Sequence, residues 1–313
     1  MVKAALPFGA VLMGLACLMA TPVPAADTTP HRLTLNVGQH AHIARVFEVT
    51  AQDVEGSDVQ HAHSRRDYLD NLVPSLHGVA IDRRLTAFVI DAPLASDDHL
   101  GSAYWQAKVL DIPRITFNAS PDLEPREVSN WADVRPEMLT MITGHALPED
   151  EAYRTMLMTL DDSAAAHLLL RDDAFLAIVR GIDLVVGTPA IAQSVRPAPL
   201  GGGTVAYSST TLLTGWDEAA DTAEIDYLFA PQPQSLASYL NRVMGPTIAP
   251  GAGDSKKAQT APSMTLSTHC HYLAAISTGL IRQADCETRF DAHGPGLDQS
   301  RTMTESLSEA VAP

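Results

Sequence analysis

The chain has 313 residues, with 21 Lys and Arg against 37 Asp and Glu, for a formal net charge of −16. That surplus excludes a general nucleic-acid binder, because nothing in it would release counterions from a phosphate backbone, and it argues equally against docking on anionic lipid. Hydrophobic types make up 46% of the residues, enough to build a core and to exclude a chain disordered throughout.

Residues 1–26 read as a secretory signal. Lys3 supplies a positive start, Ala4 to Ala20 is apolar, and Thr21-Pro22-Val23-Pro24-Ala25-Ala26 is a small-residue exit before Asp27. The apolar run is shorter than the roughly 20 residues of a membrane helix, so the mature chain is expected to be periplasmic and free of the membrane. Cleavage removes Lys3 and no acid, which leaves the chain more acidic still.

Leu33-Thr34-Leu35, Thr86-Ala87-Phe88-Val89-Ile90 and Ile182-Asp183-Leu184-Val185-Val186 read as strands, the longer two as buried ones. Asp172 to Arg180 carries apolar residues at helical spacing and runs into Gly181. Helices alternating with buried strands predict a layered α/β core. Gly201-Gly202-Gly203 predicts a turn before a strand at Thr204-Val205-Ala206-Tyr207, and Gly245 to Pro262 has a linker composition. Cys270 and Cys286 are either two thiols or, in an oxidising compartment, a disulfide that stabilises by about 3 kcal/mol on the loop-entropy view.

Twelve histidines are present, several at the ends of apolar runs. His40-Ala41-His42 places two imidazoles on one side of an extended chain, where they could share a metal. Asp97 follows the second strand, His145 closes Leu139-Thr140-Met141-Ile142-Thr143-Gly144, and His167 precedes Gly181. In open α/β sheets ligands gather at the carboxyl ends of strands, and such imidazole and carboxylate sets suit Mn, Zn or Fe.

The order of these segments resembles the dinuclear metallophosphoesterase and 5′-nucleotidase superfamily, and within it the sulfur-oxidation thiosulfohydrolases of the SoxB type. His40-Ala41-His42 is similar to the family's opening Asp-x-His, and Gln60-His61-Ala62-His63 through Asp67-Tyr68 to an Ala-His-Ala-Phe-Thr segment. Phe88-Val89-Ile90-Asp91 through Gly101-Ser102 and Trp105 resembles a Gly-Asp-Thr-Trp-Gln-Gly-Ser block. Met141-Ile142-Thr143-Gly144-His145 is similar to Met-Thr-Gly-His. His40 stands where the family has Asp, and Gly187-Thr188-Pro189-Ala190 where it has Gly-His-Thr-His, so two metal-binding histidines are absent.

The resemblance implies an α/β fold, a metallophosphoesterase-like β-sandwich flanked by helices over 27–244. A linker would follow at 245–263, and a shortened C-terminal domain would open at 264–313. It implies one or two Mn2+ ions, or Zn2+, on His40, His42, Asp97 and His167, with His145 as general acid. The implied activity is release of sulfate from a cysteine-bound S-sulfonate on a sulfur-carrier protein. A 5′-nucleotidase, or a non-catalytic relative that keeps the scaffold, are the alternatives.

Overall fold

The structure, a computed structural model, describes residues 28–35, 42–55, 57–91, 112–142, 148–197, 203–244, 263–294 and 297–312. The expected signal segment, His40, Asp97, His145 and the linker up to residue 262 lie outside them. In chain order come β1 (His31–Arg32), β2 (His42–Glu55), β3 (Asp58–Ser75), β4 (Gly78–Asp91), β5 (Arg114–Ala119) and β6 (Pro125–Val128). Four helices follow: α1 (Trp131–Ile142), α2 (Pro148–Thr159), α3 (Asp162–Leu169) and α4 (Arg171–Ala177). Then come β7 (Asp183–Leu184), β8 (Ala190–Pro197), β9 (Thr204–Asp217), β10 (Thr222–Pro231) and α5 (Pro233–Met244). The last three strands are β11 (Ser263–Ala274), β12 (Ile281–Gly294) and β13 (Leu297–Val311).

Eleven strands form one sheet in the order β6-β5-β4-β3-β2-β13-β12-β11-β10-β9-β8, and β1 pairs with β7 in a separate ribbon. The mixed α/β composition holds, but strand dominates and every named pair is antiparallel. The expected boundary near 245–263 does not divide this sheet. β11 to β13 lie at its centre, with β13 paired along its length to β2 on one side and β12 on the other. An alternating face explains the placement: Glu305, Leu307 and Glu309 of β13 are all buried, and their partners come from earlier in the chain.

The five described helices cover one face. Ile43, Leu72, Val79, Ile81 and Phe117 of the sheet share a core with Val134, Leu157, Ala165 and Leu169 of the helices. Leu213, Ile225, Tyr272 and Leu307 do the same with Leu176 and Val179, and Val205, Tyr207 and Met264 with Leu236, Tyr239 and Leu240 of α5. Local signals set the helix ends. Asp161 caps α3 by accepting from the Ala164 N–H at 2.8 Å, and the Trp131 indole N–H donates to the Leu160 carbonyl at 2.9 Å, tying α1 to the end of α2.

The expected strand elements differ in instructive ways. Thr86 to Ile90 is strand, but a register shift at Asp67/Tyr68 leaves Thr86 as an extra residue in β4. Its hydroxyl donates to the Asp67 carbonyl at 2.9 Å. Beyond the bulge the alternation inverts, so Val89 faces outward and is 52% exposed. Leu33 and Leu35 are buried without ladder partners, and of Ile182 to Val186 only Asp183–Leu184 forms a strand. The apolar run that begins at Leu139 forms the end of helix α1 as far as Ile142. A helix does occupy the Asp172 segment, as Arg171–Ala177, with residues 178–180 turning out of it, and the Thr204 strand start is where the sequence predicts it.

Cys270 and Cys286 sit directly opposite on β11 and β12, both buried, and form a disulfide with a sequence separation of 16. Replacing both by Ser is expected to lower folding stability by about 3 kcal/mol, read as a lower urea midpoint with an unchanged far-ultraviolet spectrum.

Candidate functional site

Of the residues expected to bind metal, His42 and His167 can be placed, and they do not meet. Ile43 is buried under the helices in the same core as Ala165 and Ala166. Its neighbour His42 is exposed and projects from the other face of the sheet. His167 is exposed on α3, beyond the buried Ala165 and Ala166. A layer of helix and the sheet itself separate the two rings, so these two residues do not fit a shared ion. Among the described residues, no group of three or more His, Cys, Asp or Glu side chains is arranged to hold a metal.

The helix-covered face carries a charge network no sequence motif announces. Glu309 of β13 lies opposite Arg45 of β2, and Asp70 of β3 opposite Arg83 of β4. Asp173 of α4 bridges the two pairs. It accepts from Arg45 and, at 2.6 and 2.7 Å, from Arg83. Arg180 pairs with Glu309 and donates to the Gly279 carbonyl at 2.9 Å. Three cations thus balance three anions, all nearly inaccessible. The Arg83 guanidinium also lies 4.7 Å from the Tyr68 ring centroid and 5.1 Å from that of Phe117. Beside this set, Arg66 pairs with Asp172 at 2.6 Å and Arg171 with Glu305 at 2.6 Å. Burial opposes ionisation of Asp173, yet Arg83 and Arg45 outweigh it and hold its carboxyl below the usual range. Glu305 is the reverse case: burial and the neighbouring Asp172 push its carboxyl up despite Arg171. These groups are matched to one another, which marks them as architecture rather than as chemistry aimed at a ligand.

The opposite face, which none of the described helices covers, carries the other concentration of ionisable groups. A groove of about 440 Å³ crosses β2, β13, β12 and β11. Thr50, Thr304 and Ser306 form its hydroxyl-bearing middle, with Glu48 on one flank and His269, His271, Asp285 and Glu287 on the other. The pairing explains the grouping, since His269 lies opposite Glu287 and His271 opposite Asp285. The His271 Nδ1–H donates to Asp226 at 2.9 Å, which fixes the tautomer because a carboxylate only accepts. Ser306 and Gln283 donate to Asp285 at 2.9 and 2.6 Å, and Arg289 pairs with Glu287 at 2.6 Å. Glu48 accepts from His63 Nε2–H at 2.8 Å. Among the described residues, Asp285 has no cationic partner there. A second cavity, between Leu85–Phe88, Pro113 and α1, is lined mostly by apolar groups, with Glu137 the one charged residue among its described lining.

His269-Cys270-His271 repeats the His-x-His spacing of His40-Ala41-His42 and was the available signal. The carboxylates opposite it come from another strand and had none. Compared with known protein families and with curated proteins, the chain matches no family and no curated protein.

Asp173→Asn is expected to cost about 3–5 kcal/mol by leaving buried guanidinium groups without their counter-charge, measured by urea denaturation at neutral pH. The pH profile gives the sign independently. A depressed folded-state value means stability present above the unfolded value of about 3.9 and lost as pH falls through the folded one. The native chain should therefore lose a component of stability in that acid window that the Asn variant lacks.

Proposed function

We propose that the chain is an exported, non-catalytic binding protein whose working surface is the bare sheet face, where the groove over β2, β13, β12 and β11 captures a positively charged ligand. The observation that carries this is the contrast between the two faces. The buried charges are matched among themselves, whereas the groove gathers Glu48, Asp285 and Glu287 at the surface, and among the described residues Asp285 has hydrogen-bond donors but no cationic partner. Clefts lined by one sign of charge raise the local concentration of the opposite sign. No described helix is long and apolar enough to cross a membrane. Separately, mid-strand carboxylates on the sheet face away from the described helices support an aqueous rather than a lipid-facing role for that face.

This is the second of the two alternatives the resemblance leaves open, a relative that keeps a scaffold without the reaction. The partner the resemblance suggests is a sulfur-carrier protein, and the groove's carboxylates would suit a positively charged segment of it. The test is binding of a short oligolysine, followed by calorimetry at low and high salt. Native protein is expected to bind it with an affinity that falls as salt rises. Asp285→Asn combined with Glu287→Gln should weaken binding about tenfold or more. Equal binding by the variant would overturn the proposal.

The second reading is a periplasmic hydrolase of the SoxB type with a metallophosphoesterase-like sandwich, using manganese on His40, His42, Asp97 and His167 and His145 as acid. What favours it is the collinear order of its short motifs. Against it stand the opposite faces of His42 and His167 and the missing Gly-His-Thr-His. It predicts that protein purified with manganese retains metal, releases sulfate from an S-sulfonated carrier, and loses both on His42→Ala. A 5′-nucleotidase would instead release phosphate from AMP. Metal-free, inactive, folded protein would remove both enzymes.

A further inference from the structure

We infer that the histidine flank of the groove is a binding site for a divalent transition-metal ion, with His269 and His271 as nitrogen donors and Asp285 and Glu287 as oxygen donors. The inference rests on the proposed cation-binding role of the groove and names its occupant.

The backbone places the four donors. His269 and His271 are two residues apart on β11 and point to one face, and Glu287 and Asp285 lie directly opposite them on β12. Residues two apart along a strand are separated by about 7 Å, and directly opposite residues by about 5 Å. The four side chains therefore stand at the corners of a small rectangle on an exposed surface. In the described conformation they turn to separate hydrogen-bond partners rather than to one centre. The partners of the two carboxylates, Gln283, Ser306 and Arg289, are side chains at the groove surface. They compete with an ion through a few solvated hydrogen bonds, which rotation about χ1 and χ2 exchanges for metal bonds.

A second, independent feature points to an ion rather than to a diffuse cation. His271 gives its Nδ1–H to Asp226, which leaves Nε2 as the nitrogen that would ligate an ion, on a side chain that is 51% exposed. A carboxylate behind the non-ligating nitrogen is the outer arrangement that orients metal-bound imidazole and raises its basicity. Asp226 is thus a positioning residue, on a third strand, β10, paired to β11 at His271. Two imidazoles with two carboxylates suit Zn2+ and its neighbours, whereas Mg2+ and Ca2+ prefer all-oxygen shells.

Equilibrium dialysis of the chelator-stripped, full exported chain against ZnCl2 alone tests the site. One equivalent of zinc is expected, undiminished by excess MgCl2 and by His42→Ala. His269→Ala combined with His271→Ala should abolish it. Asp226→Asn should weaken it by roughly ten- to a hundredfold with Asp226→Glu restoring part of the loss. Both histidines are exposed, and an unchanged thermal melt of the double variant in chelator verifies the fold. Absence of zinc binding, zinc retained by the double variant, or zinc lost with His42→Ala each overturns the site. Oligolysine binding separates the two levels: if it persists while zinc fails, the metal site falls and the cation-binding role stands, and if both fail, the role itself falls.

Discussion

The six buried charges of Arg45, Asp70, Arg83, Asp173, Arg180 and Glu309 are the constraint the architecture depends on. Each would be prohibitively costly to bury alone, and a buried pair broken on one side leaves its partner uncompensated. Their residues come from β2, β3, β4, β13, helix α4 and the segment just after it. Satisfying them admits one arrangement: β13 beside β2, β3 beside β4, and α4 laid across all four strands. A hydrophobic core of the same volume would tolerate sliding by two residues; opposite charges held in a row do not. The network thus acts as a register lock, and its contribution lies in specificity more than in net stability.

Holding the helices to one face leaves the other face to water. An antiparallel sheet permits this, because alternate residues can be polar without disturbing the packed side. The same alternation that buries Cys270, Tyr272 and Cys286 sends His269, His271, Asp285 and Glu287 outward. The disulfide joins β11 to β12 at the pair flanked by both His–carboxylate pairs. It holds fixed the spacing on which the groove depends.

Much of this was legible in part only. Local signals were reliable where they were local: the helix from Asp172, the strand starting at Thr204, the extended character of Thr86–Ile90. β2 was hidden because Arg45 interrupts its apolar face, and the reason Arg45 is tolerated lies at Asp173, 128 residues away. Val89 looked buried because a one-residue bulge at Thr86 cannot be seen in composition. The central position of β11 to β13 was missed because a Gly- and Pro-rich stretch reads as a boundary, whereas pairing partners leave no mark in a single sequence. The groove was missed for the same reason. One half of it, His269 and His271, follows from strand spacing; the other half depends on which strand lies alongside.

The place of β13 between β2 and β12 has a kinetic consequence. Ion pairing between Arg301 and Asp53 closes a separation of 248 residues, and the whole β2–β13 ladder is of this kind. Contacts so distant along the chain are slow to form, because the entropy of closing the loop precedes any reward from pairing. Until the final strand arrives, β2 and β12 are two long open edges, each a template for another chain. Folding of this protein is therefore a race between its own last strand and its neighbours. The strongly acidic composition, by keeping copies apart, favours the intramolecular outcome.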